Sequence, residues 1–159
     1  MSLWTVPKAS LLPAALLGGL VLFTYTTLQN YGPESTLRKF HSSIHNIFVS
    51  QAAGKGIPQG DWNILRSTLM EDIANPTEPG DERAMLLIKQ VYSEYKAGAT
   101  YSLARMDRYP REVRIAVLYE IKPQPPTPMV WVVDKPQGGR EWKINAYKTY
   151  KALSATSVP

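Results

Sequence analysis

Residues 113–121 read VRIAVLYEI, with Val113, Ile115, Val117, Tyr119 and Ile121 alternating with Arg114, Ala116, Leu118 and Glu120. Side chains on a strand point alternately to opposite faces, so this pattern predicts a strand with one face on a core. Upstream, Tyr101 to Asp107 predicts another strand, stopped by Tyr109-Pro110. Downstream, KPQPPTP (Lys122 to Pro128) predicts a stiff loop or sheet edge, because proline cannot donate to an interior ladder. Met129 to Val133 then predicts a short apolar strand, and KPQGGR (Lys135 to Arg140) a turn. The chain returns over Glu141 to Tyr150, where Trp142, Ile144 and Ala146 share one strand face until Lys148 interrupts it near Tyr147. Short connections between four strands predict an antiparallel meander.

Before residue 100 the apolar period is helical. Gly32-Pro33 marks a helix start, followed by Leu37, Phe40, Ile44, Ile47 and Phe48 on one face. QAAGKGIPQG (Gln51 to Gly60) is a flexible connection, and Asp61 is placed to cap a short helix burying Trp62, Leu65, Leu69 and Ile73. NPTEPG (Asn75 to Gly80) is a break. A third helix over Asp81 to Ala97 buries Ala84, Leu87, Ile88, Val91, Tyr92 and Tyr95, with Gly98 suited to a left-handed end. The expected class is α+β, three helices packed on a four-stranded, mostly antiparallel sheet. Strand parity places Trp142 with Ile144 against Leu87 and Val91.

The N-terminal region carries a different signal. ASLLPAALLGGLVLFTYTTL (Ala9 to Leu28) has twenty residues and no charge, and a bilayer core needs about twenty apolar residues in a helix. Trp4 lies just before it and Tyr25 and Tyr31 near its far end, where amphipathic rings favour the membrane–water interface. A cleaved signal peptide is the alternative, but Thr24 to Gln29 offers no small-x-small cleavage site. The division expected is a tail over 1–8, a single transmembrane helix over 9–31, a soluble domain over 32–150 and a flexible tail over 151–159. Ala14 with Gly18, and Ala15 with Gly19, form overlapping small-xxx-small pairs that let helices approach closely in lipid. Their expected partners are other membrane subunits or a second copy of the chain. A short N-terminal tail points to a soluble domain on the non-cytoplasmic side of a single-pass membrane protein.

Composition narrows the function classes. The 159 residues carry a net charge of +5, which favours anionic neighbours such as lipid headgroups or acidic protein surfaces. The basic residues are scattered, without the clustered patch of a nucleic-acid binder. There is no cysteine, so disulfides, thiolate zinc sites and lipidated cysteines are excluded.

The soluble part resembles the cystatin-like cone of the nuclear transport factor 2 superfamily over roughly Pro33 to Tyr150. The residues that carry the resemblance are PESTLRKFH (Pro33 to His41), DWNILRSTL (Asp61 to Leu69) and MVWVVDKPQGGREWKINAY (Met129 to Tyr147). It implies a helix-covered cone but little about activity, because that superfamily includes enzymes, binding modules and scaffolds. Its enzymes place a carboxylate, His or Tyr inside the cone, which directs attention to His41, Tyr92 and Trp131 as a pocket. His41 and His45, four apart, can in principle share a metal or proton, but Ser42 and Ser43 replace the Glu of an HExxH motif. The simpler expectation is a hydrogen-bonded, partly buried His41 and an exposed His45. No carboxylate pair or phosphate loop is recognisable, so no catalytic, cofactor-binding or metal residue is assigned. Tyr147, Lys143 and Asn145 oppose the Trp142/Ile144 parity and are the expected protein contacts. The function that fits is a non-enzymatic accessory, scaffold or assembly subunit of a membrane complex. A membrane-tethered module holding a small hydrophobic ligand in the cone is the alternative, and an enzyme of the same superfamily a further one.

Overall fold

A computed structural model of the chain describes residues 32–70 and 81–156. The apolar segment, with Ala14, Ala15, Gly18 and Gly19, lies outside them, as does Ile73. Among the described residues, no helix is long and apolar enough to cross a membrane.

The described chain is α+β. Helices α1 (Pro33–Ala52), α2 (Gln59–Ser67) and α3 (Asp81–Lys96) precede strands β1 (Thr100–Arg108), β2 (Glu112–Glu120), β3 (Thr127–Asp134) and β4 (Lys143–Ile144), and helix α4 (Ala146–Thr156) closes the order. The strands pair in sequence order, β1-β2-β3-β4, and each pairing is antiparallel. In β2 the predicted parity holds: Val113, Ile115, Val117 and Tyr119 are buried, while Arg114 is exposed. They meet Leu37, Phe40, Ile44 and Ile47 of α1, Leu65 of α2, and Ala84, Leu87 and Val91 of α3 in one core. Gly98 ends α3 with φ +84, the left-handed conformation that costs glycine nothing.

Two helix boundaries differ from expectation. Helix α2 starts at Gln59 after Pro58, without a side-chain cap. Asp61 lies in its first turn, where a carboxylate suits the helix dipole, and accepts a hydrogen bond from Asn46 Nδ2 at 2.8 Å. The helix also stops before Leu69, which forms a parallel bridge to Ile144. Thr68 O accepts the Ile144 N–H at 2.8 Å, and Ile144 O accepts the Met70 N–H at 3.3 Å.

The largest correction concerns the C-terminal region. The expected strand over Glu141 to Tyr150 is reduced to two residues, and α4 takes the rest, entering the segment expected to be a loose tail. Asn145 explains the switch. Its Oδ1 accepts the Lys148 N–H at 3.0 Å, and its O accepts the Thr149 N–H at 3.0 Å, which is an N-cap. Ala146 and Thr149 are buried with Leu153 partly so, a helical spacing of three and seven.

Helix α4 also finishes the sheet. Beyond β4, the outer edge of β3 is met by Asn145 N, which donates to Val132 O at 2.9 Å, and by Thr149 Oγ1, which accepts the Val132 N–H at 3.0 Å. Both edge groups of Val132 are thereby satisfied. Lys148 adds ion pairs to Glu112 at 2.8 Å and Asp134 at 2.9 Å, across the ends of β2 and β3. Hydrogen bonds from Lys148 and Arg114 hold the Glu112 carboxyl below its usual range, and Glu112 and Asp134 raise the Lys148 ammonium.

Trp142 sits before β4 rather than in it, half-buried at the margin of the core, with Lys135 Nζ 5.9 Å from its ring centre. Ile144 is fully buried, as parity requires, but the indole at the centre of the core is that of Trp131.

Candidate functional site

The most distinctive chemistry among the described residues is a buried imidazole surrounded by aromatic rings. His41 faces inward because it lies one turn from Leu37 and one from Ile44, both buried. Opposite it, the β1–β2 register pairs Tyr101 with Tyr119, and β3 supplies Trp131. The Tyr101 ring stacks on His41 at 4.3 Å, with Trp131 edge-on at 5.3 Å and Phe40 at 5.7 Å. His41 and Trp131 are both 0% exposed.

The hydrogen bonds fix the tautomer. His41 Nδ1 lies 2.8 Å from Leu37 O, and a carbonyl only accepts, so Nδ1 carries the proton. Nε2 then accepts the Tyr119 hydroxyl at 2.6 Å. Burial lowers the imidazole to about 4, opposed by the Leu37 carbonyl. Burial likewise pushes the Tyr119 phenol above its ordinary range, while the neighbouring Trp131 N–H favours the phenolate. That indole N–H makes no hydrogen bond of ordinary geometry. The arrangement is a neutral His accepting a hydrogen bond from a neutral Tyr, with each ring packed on others. It orders the core, and substrate has no face of the imidazole left to approach.

The residues expected together in a pocket are thus only partly so. His41 and Trp131 touch, whereas Tyr92 packs edge-on against Phe48 at 5.6 Å. His45 is exposed and meets Tyr95 at 5.1 Å, on a shallow depression of about 400 Å3 with Ser42 and Tyr101. The two histidines do not converge, because both ring nitrogens of His41 are engaged. Among the described residues, no group of three His, Cys, Asp or Glu is placed to hold a metal.

The expected contact surface on an open sheet face is corrected too. Tyr147 belongs to α4, half-exposed, with the Arg83 guanidinium 4.7 Å above its ring. Lys143 is committed to Glu141 at 3.0 Å and to the Ser67 carbonyl. Asn145 caps α4 and donates to Asp134 Oδ2 at 2.8 Å. Of the three, Tyr147 is exposed, while Lys143 and Asn145 are half-buried.

Two features escaped sequence reasoning. The Tyr119–His41 bond required knowing which face of α1 meets β2, although strand parity already placed Tyr119 inward. A groove between the first turns of α1 and the β3–β4 loop, holding Lys39 and Arg140, joins segments about a hundred residues apart. Comparisons with protein-family models, curated proteins and solved structures give no match to this chain.

Proposed function

We propose that this chain is a single-pass, membrane-anchored, non-enzymatic accessory or scaffold subunit of a larger membrane protein complex, with a soluble domain of the nuclear transport factor 2-like cone type on the non-cytoplasmic side. The observation that carries the proposal is the charge-free stretch Ala9 to Leu28, which ends only four residues before Gly32-Pro33 opens α1. Such a short connection keeps the domain against the bilayer, where it can meet other membrane subunits but samples little of the aqueous space. The buried chemistry supports a scaffold. The imidazole expected to be the best catalytic candidate is 0% exposed and hydrogen-bonded through both nitrogens. Trp131, Phe40 and His41 occupy the interior where a cone-type ligand would sit. Single-pass proteins with cone domains serve as scaffold subunits of bacterial type IV secretion machines, and this chain is proposed for a comparable structural task without assignment to that system.

Alkaline carbonate extraction tests the anchor. The full-length chain is expected in the membrane pellet, and release of a shortened soluble form would overturn the proposal. The scaffold role has its own test. Gly18→Leu and Gly19→Leu should weaken co-purification of partners in mild detergent, since bulky side chains hold helices apart. His45→Gln should leave complementation intact.

A further inference from the structure

We propose that the turn joining β1 to β2 is a docking site for an acidic segment of a partner protein, held by the guanidinium groups of Arg108 and Arg111. The inference concerns the described domain alone and does not depend on Ala9 to Leu28 crossing a membrane. Basic residues scattered along the sequence are gathered at this end of the sheet by the strand register, which sets Asp107 opposite Arg114 and Glu112 opposite Asp134. Arg105 pairs with Asp107 at 3.0 Å, Arg114 with Glu112 at 2.8 Å, and Lys148 with Glu112 at 2.8 Å and Asp134 at 2.9 Å. Three cations and three carboxylates there balance one another. Arg108 and Arg111 stand outside this network. Both are exposed, and neither guanidinium has an ion pair or hydrogen bond among the described residues. Lys135, whose N–H donates to Arg111 O at 2.9 Å, adds a third cation without a carboxylate just beyond β3.

The tip is preorganised. Tyr109 N–H donates to Glu112 O at 2.8 Å and closes the turn, and Pro110 fixes one of its backbone angles. The Arg114 guanidinium lies 5.5 Å from the centre of the exposed Tyr109 ring and steadies it from one face. Arg and Tyr are residue types that carry much of the energy at protein interfaces, and a rigid tip has little ordering left to lose on binding.

The chemistry selects the partner. A guanidinium is a planar fork that a carboxylate meets with two parallel hydrogen bonds, and the surplus charge draws an acidic chain toward it. A nucleic acid would need a longer run of cations and open rings for its bases, whereas the tip has two free guanidinium groups and one ring with a face already covered. A membrane surface would need apolar side chains to insert, whereas the exposed tip is Arg108-Tyr109-Pro110-Arg111, without Leu, Phe or Trp.

Fluorescence anisotropy on the full-length chain in neutral detergent tests the site, with a labelled peptide of alternating Glu and Ser as probe and its Gln-Ser counterpart as control. Wild type should bind the Glu-Ser peptide in preference, and Arg108→Gln and Arg111→Gln should each weaken that binding roughly fivefold. Lys55→Gln removes the same charge from the exposed connection after α1 and should leave binding unchanged. Arg108→Lys and Arg111→Lys keep the charge without the fork and should fall between wild type and the Gln variants. Thermal melts confirm that each variant folds. Equal binding of the two peptides, or an equal loss in Lys55→Gln, overturns the site, and full affinity in the Lys variants overturns its guanidinium chemistry. Oligothymidylate or phosphatidylglycerol micelles that bind more tightly than the Glu-Ser peptide, and are lost in the same Gln variants, would overturn the assignment to a protein partner. Carbonate extraction reports on the anchor separately, since peptide binding does not require a spanning helix.

Discussion

Trp131→Ala is expected to destabilise the domain by about 3–5 kcal/mol, the range for deleting a fully buried indole. Trp131 is 0% exposed, opposite Ile115 in the β2–β3 register, with Phe40 edge-on at 5.1 Å and His41 at 5.3 Å. Removing the ring leaves a void between α1 and the sheet that the surrounding residues, held by backbone ladders, fill only in part. Small domains are stable by about 5–15 kcal/mol, so the loss is a large fraction of the total. Urea unfolding followed by circular dichroism measures it. Trp142→Ala is the internal comparison and should cost less, because that ring is half-buried at the margin. Equal losses for the two variants would show that the centre of the core has been misplaced. Trp131→Phe should be milder than Trp131→Ala, since it keeps an aromatic ring and removes an indole N–H that makes no hydrogen bond of ordinary geometry.

These two tryptophans show where sequence reading succeeds and where it stops. Alternation over Val113 to Tyr119 was legible because β2 is central and one of its faces packs on helices. The helical face of α1 was legible for the same reason. Parity failed after Arg140, where only Lys143 and Ile144 are strand. Trp142 and Ala146 fitted an alternating pattern by coincidence, since positions 142, 144 and 146 fall outside, within and beyond the strand. Asn145 was the available warning, a residue type favoured at N-caps and followed by Ala146, Thr149 and Leu153 at helical spacing. The same event moved Tyr147 from a sheet face to a helix. On the candidate site, His41 and Trp131 could each be placed in the interior by periodicity, but Tyr119 as the partner of Nε2 depends on the packing of α1 against β2. Long-range pairing of that kind leaves no local pattern.

The second large effect is acid sensitivity. His41 has a folded value of about 4 against an ordinary 6.5, chiefly because burial penalises the imidazolium, with the Leu37 carbonyl opposing. Above pH 6.5 the imidazole is neutral in the folded and unfolded chains alike, and its contribution is fully present. As pH falls below 6.5 the unfolded chain takes up the proton first, so stability falls with pH until the folded value is passed. The whole gap corresponds to about 3 kcal/mol, of which about 2 kcal/mol should be lost between pH 7 and pH 5. Geometry gives the same sign. A protonated Nε2 would have to donate to a Tyr119 oxygen that now donates to it, so the hydroxyl must turn away within a buried site whose nearest indole group, Trp131 Nε1, is itself a donor. Glu112, whose carboxyl is held low by Lys148 and Arg114, contributes in the same direction but only once pH approaches the carboxylate range. The interval from pH 7 to pH 5 therefore isolates the imidazole. Urea unfolding at these two pH values should show the loss in wild type and little of it in His41→Gln, whose amide does not titrate and whose stability is lower at pH 7. A wild-type curve that is flat over that interval, or a His41→Gln variant that keeps the full slope, would mean that the proton uptake on unfolding belongs to another group.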